Sequence, residues 1–287
     1  MPKASVSQAK ILKIYCGDVN ETMDLLAIEE PMEIRVGYGD AINRMQKSIS
    51  VTMRTPGNDF ELAVGFLYTE GIIQSAKNIY KIQYCVEANT IENKENIVRV
   101  ELNENIKLDF ARLQRNFYTS SSCGVCGKES IESIKTTCPT NHHKEKIQVS
   151  KDIILSLPEK LREKQKVFEY TGGLHACALF DNNGELLLLR EDVGRHNALD
   201  KLIGALISDI SRCDVLSKSI LLLSGRASFE LLQKAAMAGI QMVCAVGAPS
   251  SLAVDIAHEF GITLIGFLKE NRFNIYSHSE RINDVNL

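Results

Sequence analysis

The second half of the chain alternates short apolar runs with amphipathic segments. Apolar runs at residues 220–223, 241–246 and 263–267 predict strands, and residues 228–238 and 251–260 between them predict helices. A strand that is apolar at consecutive positions needs cover on both faces, which the intervening helices supply. The pattern therefore predicts a layered α/β domain with a partly parallel sheet.

The segment before these strands carries further signals. Residues 174–180 and 185–189 flank an Asp-Asn-Asn-Gly turn and predict a hairpin, and residues 197–210 predict a helix. Two helical segments meet at Pro158. Because proline is tolerated at a helix start, we expect Pro158 to be the first residue of the second segment.

The first third of the chain predicts a smaller α+β unit. Residues 33–36 and 49–53 predict strands, and residues 79–86 and 97–102 predict a second strand pair. Between the pairs lies a predicted helix, for which Asn58 or Asp59 is the expected N-cap.

A change in composition separates the two halves. Residues 118–128 are small and rich in Ser and Gly, which is typical of a loop. We therefore predict an N-terminal α+β domain over residues 1–116 and a C-terminal α/β domain over residues 117–287, with this loop at the start of the second domain.

Composition excludes several classes of protein. The 287 residues include 33 basic and 36 acidic side chains, so the formal charge of -3 provides no field for binding nucleic acid or an anionic membrane. No run approaches the ~18 apolar residues that span a bilayer, and we expect a cytoplasmic protein. In that reducing compartment the eight cysteines are not expected to form structural disulfides.

The most informative chemical feature is the sequence Cys-Gly-Val-Cys-Gly-Lys at residues 123–128. Cys123 and Cys126 lie three residues apart at a predicted loop-to-helix junction, where the helix end, Lys128 and Arg115 favour the thiolate form. A thiolate of this kind attacks sulfur in a disulfide or a persulfide.

Other interpretations of the two thiols stay open. Cys123, Cys126, Cys138 and His142 have spacing close to that of a zinc module, with His143 as a spare ligand. Thioredoxin-type exchange is a further option, although the expected strand and long helix around the pair are missing. The pair can also be a chance coincidence.

A second group of polar residues clusters at predicted strand ends. Residues 189–197 follow a strand and open a helix, and an Asp192 to His196 contact there would orient a general base. A surface capping network around Asp192 or Asn197 explains the same residues equally well. Residues 223–228 and 246–251 offer two more strand-to-helix turns with backbone N–H donors suited to phosphate. None of these turns contains a Walker or GxGxxG motif.

Several longer motifs together resemble one known family. They are Met53 to Gly57 with Glu61 to Leu67, Ser122 to Gly127, Thr171 to His175, Arg190 to Asn197, Ser224 to Glu230 and Ala248 to Ala253. With these motifs the chain resembles the formate dehydrogenase accessory sulfurtransferase family (FdhD type), over about residues 30–276.

The resemblance implies a function, a site and partners. It implies transfer of persulfide sulfur from a cysteine desulfurase to the molybdenum (or tungsten) bis-pterin guanine dinucleotide cofactor of formate dehydrogenase. Cys123 would carry the persulfide, and Cys126 would assist or resolve it. The matching cofactor-binding segment consists of Phe267, Leu268, Lys269, Glu270, Asn271 and Arg272. In it, Lys269 and Arg272 can meet phosphates.

The same resemblance implies a homodimer and a C-terminal fold similar to cytidine deaminase. No H-x-E with P-C-x-x-C is present, so we expect no catalytic zinc. Two alternatives to the sulfurtransferase are kept: a binding protein that escorts the cofactor without thiol chemistry, and a protein with a structural zinc site.

Overall fold

In the computed structural model, the described residues are 5–85, 95–106, 108, 147–209 and 215–285. Cys123, Cys126 and the other predicted zinc ligands lie outside them. The N-terminal elements are β1 (Val6–Tyr15), β2 (Asp18–Ala27), β3 (Glu30–Tyr38), β4 (Met45–Arg54), α1 (Asp59–Thr69), β5 (Ile79–Tyr84) and β6 (Ile97–Leu102).

The remaining elements lie after residue 146. They are β7 (Val149–Ser150), α2 (Lys151–Lys164), α3 (Lys166–Thr171), β8 (His175–Phe180), β9 (Leu186–Asp192), α4 (Arg195–Ser208), β10 (Ile220–Leu223), α5 (Phe229–Met237), β11 (Met242–Ala245), α6 (Ser251–Glu259), β12 (Thr263–Lys269), β13 (Arg272–Ser277) and β14 (Ile282–Asn283). The mixed α/β class is confirmed, whereas likeness to cytidine deaminase stays a prediction.

The N-terminal sheet has the strand order β4-β3-β6-β5, with β3 and β6 parallel. Alternate residues of the two central strands point to one face and are fully buried: Met32, Ile34 and Val36 on β3, and Val98, Val100 and Leu102 on β6. The same core cluster includes Leu62 and Leu67 of α1. This sheet therefore packs against α1.

The larger sheet has the strand order β13-β12-β11-β10-β8-β9, with β10, β11 and β12 parallel. On β10, Leu221 and Leu223 join the core that includes α4, α5 and α6, whereas Ile220 and Leu222 join the core that includes α2. Consecutive apolar residues on these strands are explained by burial on both faces.

Two glycines bring α1 and α4 into backbone contact. A Cβ atom added to Gly65 would lie 1.8 Å from the carbonyl oxygen of Asp200, and one added to Gly204 would lie 1.9 Å from that of Glu61. Side chains at these positions would hold the helices apart. The contact joins the elements of both sheets in one hydrophobic core.

The structure corrects one predicted boundary and adds elements that the sequence did not reveal. Pro158 lies inside the single helix α2 and does not begin a second helix. Pro158 is buried, so its packing offsets the backbone hydrogen bond that proline cannot donate. The β1–β2 hairpin and strand β13 were not predicted.

Within the described ranges, no helix combines the length and apolar character needed to cross a bilayer.

Candidate functional site

A buried ion pair joins two of the motifs that the sequence singled out. The Lys201 ammonium lies 2.7 Å from Asp192 Oδ2 and donates to the carbonyl oxygen of Thr55 at 2.8 Å. Asp192 also accepts hydrogen bonds from the backbone N–H groups of Thr55 and Gly194. These contacts lock the segment after β4 onto the end of β9.

Asn197 extends this network to β4. Its Nδ2 donates to the carbonyl oxygen of Met53 at 2.8 Å and to Asp192 Oδ1 at 3.2 Å, and its Oδ1 accepts from Thr52 Oγ1. The N-cap of α4 is Gly194, with no side-chain capping bond. Asp192 and Asn197 therefore act as buried tethers between the two sheets, and not as a surface capping network.

Two arginine–carboxylate pairs attach the first turn of α1 to strands β4 and β9. Arg54, which is fully buried, bonds both oxygens of Asp59 at 2.9 and 3.1 Å, and Arg190 bonds both oxygens of Glu61 at 2.6 and 2.8 Å. Bidentate pairs of this kind fix orientation as well as distance. Burial and the negative charge of Asp59 raise the pKa of Tyr84 to about 12.

A third buried cluster links α1, α4 and α5. The Lys234 ammonium contacts Asp200 Oδ2 at 3.0 Å, Glu70 Oε1 at 3.1 Å and Thr69 Oγ1 at 2.9 Å. Burial alone would lower the pKa of Lys234, but the two carboxylates raise it. The lysine is therefore a charged structural group and unsuited to act as a base.

A cavity of about 840 Å³ opens at the edge of the large sheet where β10, β11 and β12 end. Its wall is formed by Pro158, Leu161, Arg162, Gln165, Phe168, Gly172, Gly173, Leu174, His175, Ser224, Val246, Leu268, Lys269, Glu270 and Asn271. Four segments that were identified separately in the sequence meet here. They are the Gly172-Gly173 turn, the strand-to-helix turns at residues 223–228 and 246–251, and the predicted cofactor-binding segment at residues 267–272, here called the C-terminal segment. A cleft at the carboxyl ends of parallel strands is the usual ligand site of such sheets.

The C-terminal segment forms one rim of this cavity. Lys269 and Arg272 are exposed and face each other across the β12–β13 turn, and Glu270 pairs with Arg162 of α2 at 3.3 Å. Leu268 is fully buried and anchors the segment in the core. Of the two cations, Lys269 lies on the cavity wall and Arg272 does not.

Phe267 has an unusual backbone. Its φ is +53°, in the left-handed region that costs a non-glycine residue about 1–3 kcal/mol, and its ring is 41% exposed. Its N–H donates to the carbonyl oxygen of Gly247 at 3.0 Å, which holds the kink against the neighbouring turn. Phe267 is exposed but is not one of the residues that form the cavity wall.

The two strand-to-helix turns differ from expectation in one respect. Several of their N–H groups bond to each other's carbonyl oxygens: Ala227 to Ala248, Gly247 to Gly225, and Ser250 to Ala227. Those amides extend the sheet and are not directed at a ligand. The predicted set of phosphate-binding amides is correspondingly smaller.

Two histidines lie near each other in this region, His175 at the start of β8 and His196 in the first turn of α4. His196 Nε2 lies 3.5 Å from Ser228 Oγ and 3.8 Å from Glu230 Oε2, and Asp192 bonds elsewhere, so the predicted Asp192–His196 contact is replaced by other partners. The contact with His196, across 3.8 Å, is the largest of the causes that lower the pKa of Glu230 to about 2. Burial, with the charges of Arg195 and His196, lowers the pKa of His175, which lines the cavity.

The sequence did not predict the α2 and α3 side of the cavity. Arg162, Gln165 and Phe168 lie on its wall, and Gln165 is buried with no hydrogen-bond partner for Nε2 among the described residues. No motif marks these residues, because helical amphipathicity identifies the buried face and not the edge beside a cleft.

The described cysteines are not clustered. Cys177 and Cys244 are fully buried, and burial raises the pKa of each thiol, whereas Cys16 is exposed at the tip of the β1–β2 hairpin. Across the described ranges, no group of three or more His, Cys, Asp or Glu side chains is arranged to hold a metal ion. The predicted zinc ligands lie outside those ranges.

Comparison with known proteins identifies the family. The sequence profile described as the FdhD/NarQ family matches residues 27–283. The chain belongs to the FdhD/NarQ family. The family resemblance found in the sequence motifs is thereby confirmed.

Curated FdhD/NarQ relatives match almost the whole chain. "Sulfur carrier protein FdhD" of Streptomyces coelicolor is 46% identical over 276 residues, which cover 95% of this chain and 94% of that protein. The protein of the same name from Sulfurisphaera tokodaii is 45% identical over 282 residues, covering 96% and 99%.

The fold is also that of a solved structure. The crystal structure of a candidate formate dehydrogenase accessory protein from Desulfotalea psychrophila superposes with a TM-score of 0.69 at 24% identity, covering 97% of this chain and 100% of that one. At this identity the likeness supports the fold assignment.

Proposed function

We propose that this chain is a sulfur carrier that serves formate dehydrogenase. The observation that carries the proposal is the identity of about 45% with proteins named sulfur carriers over nearly their whole length. The cavity at the sheet edge supports it, because a carrier that delivers sulfur to a cofactor needs a site for that cofactor.

The proposed carrier residue is Cys123. Its thiolate attacks the terminal sulfur of a persulfide on a cysteine desulfurase, so that a Cys123 persulfide forms and the desulfurase thiolate leaves. The thiol of Cys126 then attacks the inner sulfur of the Cys123 persulfide. A Cys123–Cys126 disulfide forms and sulfide departs, which reduces the transferred sulfur by the two electrons lost by the thiols. A cellular dithiol restores the pair.

The proposed acceptor is the molybdenum (or tungsten) bis-pterin guanine dinucleotide, which is a substrate here and not a resident cofactor. Lys269 and Arg272 would bind its phosphates, and Phe267 would stack on a heterocyclic ring. A cavity of about 840 Å³ has the size of a site for one nucleotide-sized moiety. The family resemblance also implies a homodimer, which is part of this proposal.

An escort function without thiol chemistry is the second candidate. It is favoured by one observation: among the described residues, the cavity wall includes a cation, Lys269, that can bind an anionic group without any thiol. Cofactor binding and sulfur transfer are therefore separable by mutation.

Binding is tested with GDP, the nucleotide part of the proposed cofactor, by titration calorimetry. Loss of a charge-assisted contact in Lys269→Ala should weaken binding about 10-fold or more, because such contacts contribute about 1.5–3 kcal/mol. Lys151→Ala, an exposed lysine at the start of α2 away from the cavity wall, is the matched control. Equal GDP affinities of the wild type, Lys269→Ala and Lys151→Ala would contradict the assigned site.

Sulfur transfer is tested by formate dehydrogenase activity in cells that lack the endogenous carrier. Cys123→Ala should abolish activation and leave GDP affinity unchanged, whereas Cys16→Ala should activate fully. Full activation by Cys123→Ala would reject the carrier and select the escort function.

A further inference from the structure

The β1–β2 hairpin is a long, two-stranded ribbon that is not part of either large sheet. Its ten-residue strands pair over their whole length, from Val6 opposite Ala27 to Tyr15 opposite Asp18. Contact with the rest of the described chain runs mainly through α3, which packs on β2 near its end. At about 3.3 Å per residue, the ribbon extends roughly 33 Å.

The two faces of the ribbon differ in polarity. Residues opposite each other in an antiparallel pair share a face, so the register defines both faces. We name one the apolar face; its members are Val6, Gln8, Lys10, Leu12, Ile14, Val19, Glu21, Met23, Leu25 and Ala27. The opposite face holds Ser7, Ala9, Ile11, Lys13, Tyr15, Asp18, Asn20, Thr22, Asp24 and Leu26.

The apolar face is exposed along its outer half. Leu12 is 68% exposed, Ile14 71%, Val19 61% and Met23 56%. Isolated two-stranded hairpins are marginally stable in water, and contiguous exposed apolar surface usually marks an interaction site. A surface of this kind needs a second apolar surface to cover it.

The charges on this face indicate what covers it. Only Lys10 and Glu21 are charged among its ten residues, and they form an ion pair in the middle of the ribbon, with side chains that are 66% and 57% exposed. A two-fold axis through this point would place Lys10 of each copy beside Glu21 of the other, with apolar residues around them. The face is therefore complementary to itself, as an isologous interface requires.

We propose that the apolar face of the β1–β2 hairpin packs on the same face of a second copy of this chain and forms the homodimer interface. This inference rests on the homodimer suggested above and is independent of sulfur transfer. It names the surface, the symmetry and the ion pairs of the dimer.

The first test compares neighbouring substitutions on opposite faces. Met23→Asp places a carboxylate on the apolar face, and Thr22→Asp places the same charge one residue away on the other face. Burying one such charge from each copy should raise the dimer dissociation constant at least about 100-fold in sedimentation equilibrium. Thr22→Asp should match the wild type, and circular dichroism checks that both variants fold.

The second test uses charge reversal and detects contact between copies. Lys10→Glu alone and Glu21→Lys alone would place like charges together, and each should weaken self-association. A mixture of the two variants restores both intermolecular pairs, so native mass spectrometry should show mainly the heterodimer. Within one chain, each variant leaves the two side chains with like charge, so internal pairing cannot produce this result.

Each outcome decides a different point. A wild-type protein that is monomeric at tens of micromolar would overturn the homodimer and the interface together. A dimer that survives Met23→Asp, or a mixture with no preference for heterodimers, would overturn the hairpin interface alone. Neither result bears on whether Cys123 carries sulfur.

Discussion

The carboxylate of Asp192 lies 2.7 Å from the ammonium nitrogen of Lys201, and both side chains are almost completely buried. The two residues belong to β9 and α4 and hold the segment after β4 through Thr55. The pair is thus a structural tether between the N-terminal sheet and the sheet that carries the cavity.

Breaking this pair from one side should be strongly destabilising. Lys201→Met leaves the Asp192 carboxylate buried without its cation, which typically costs about 3–5 kcal/mol. The free energy of unfolding in urea measures the effect. Arg162→Met, which removes one side of the exposed pair with Glu270, should cost about 1 kcal/mol or less. Similar losses for the two variants would contradict a buried tether.

The close approach of α1 and α4 predicts intolerance of a single methyl group. Gly65→Ala would place Cβ 1.8 Å from the carbonyl oxygen of Asp200, so the helices must separate. We expect a loss of about 1–3 kcal/mol in the free energy of unfolding. Gly173→Ala is the control, because its Cβ would make an ordinary contact 3.6 Å from Ala27 Cβ. Equal stability of the two variants would show that the helices are further apart.

The contact between His196 and Glu230 predicts a pH-dependent contribution to stability. The folded-state pKa of Glu230 is lowered from 4.5 to about 2, so the carboxylate contributes stability above about pH 4.5 and loses that contribution as pH falls through 2. The contact with His196, across 3.8 Å, is the main cause. His196→Ala should therefore raise the pKa of Glu230 toward 4.5 in a carboxyl-carbon NMR titration.

His258→Ala is the matched control for this titration, because His258 lies on α6 beside His278 and away from Glu230. It should leave the pKa of Glu230 unchanged. An unaltered Glu230 titration in His196→Ala would show that the histidine does not hold the carboxylate.

Burial predicts which described cysteines react. Cys177 and Cys244 are fully buried with raised pKa values, so both should resist a maleimide in the folded protein and react in urea. Cys16 is exposed and should react at once. Peptide mass spectrometry after a timed reaction distinguishes the three. Rapid labelling of Cys244 in the native state would contradict its place in the core.

Local sequence pattern predicted much of the large sheet but few of the contacts between the two sheets. Strand β10 was predicted at its observed bounds, because four consecutive apolar residues between turn signals have few alternatives. Lys201 and Thr55 are far apart in sequence, and no local pattern reveals their contact with Asp192. The hairpin was missed because both its faces carry charges and neither is buried by the chain itself.

Local sequence pattern also predicted part of the cavity wall. The turns at residues 223–228 and 246–251 were predicted to suit a phosphate group, and Ser224 and Val246 of these turns lie on the cavity wall. The turn at residues 189–197, predicted with them, contributes no residue to the described wall. Arg162 and Phe168 reach the cavity from helices on the opposite wall, and their place depends on how α2 packs across the sheet. That packing is a tertiary property and has no local signature.

The most direct test of the account is intact and peptide mass spectrometry after incubation with a cysteine desulfurase and cysteine. We predict a gain of one sulfur atom on the peptide that contains Cys123, its loss on treatment with a reducing dithiol, and no gain in Cys123→Ala. Sulfur found on another cysteine, or on none while the desulfurase turns over, would contradict the central claim.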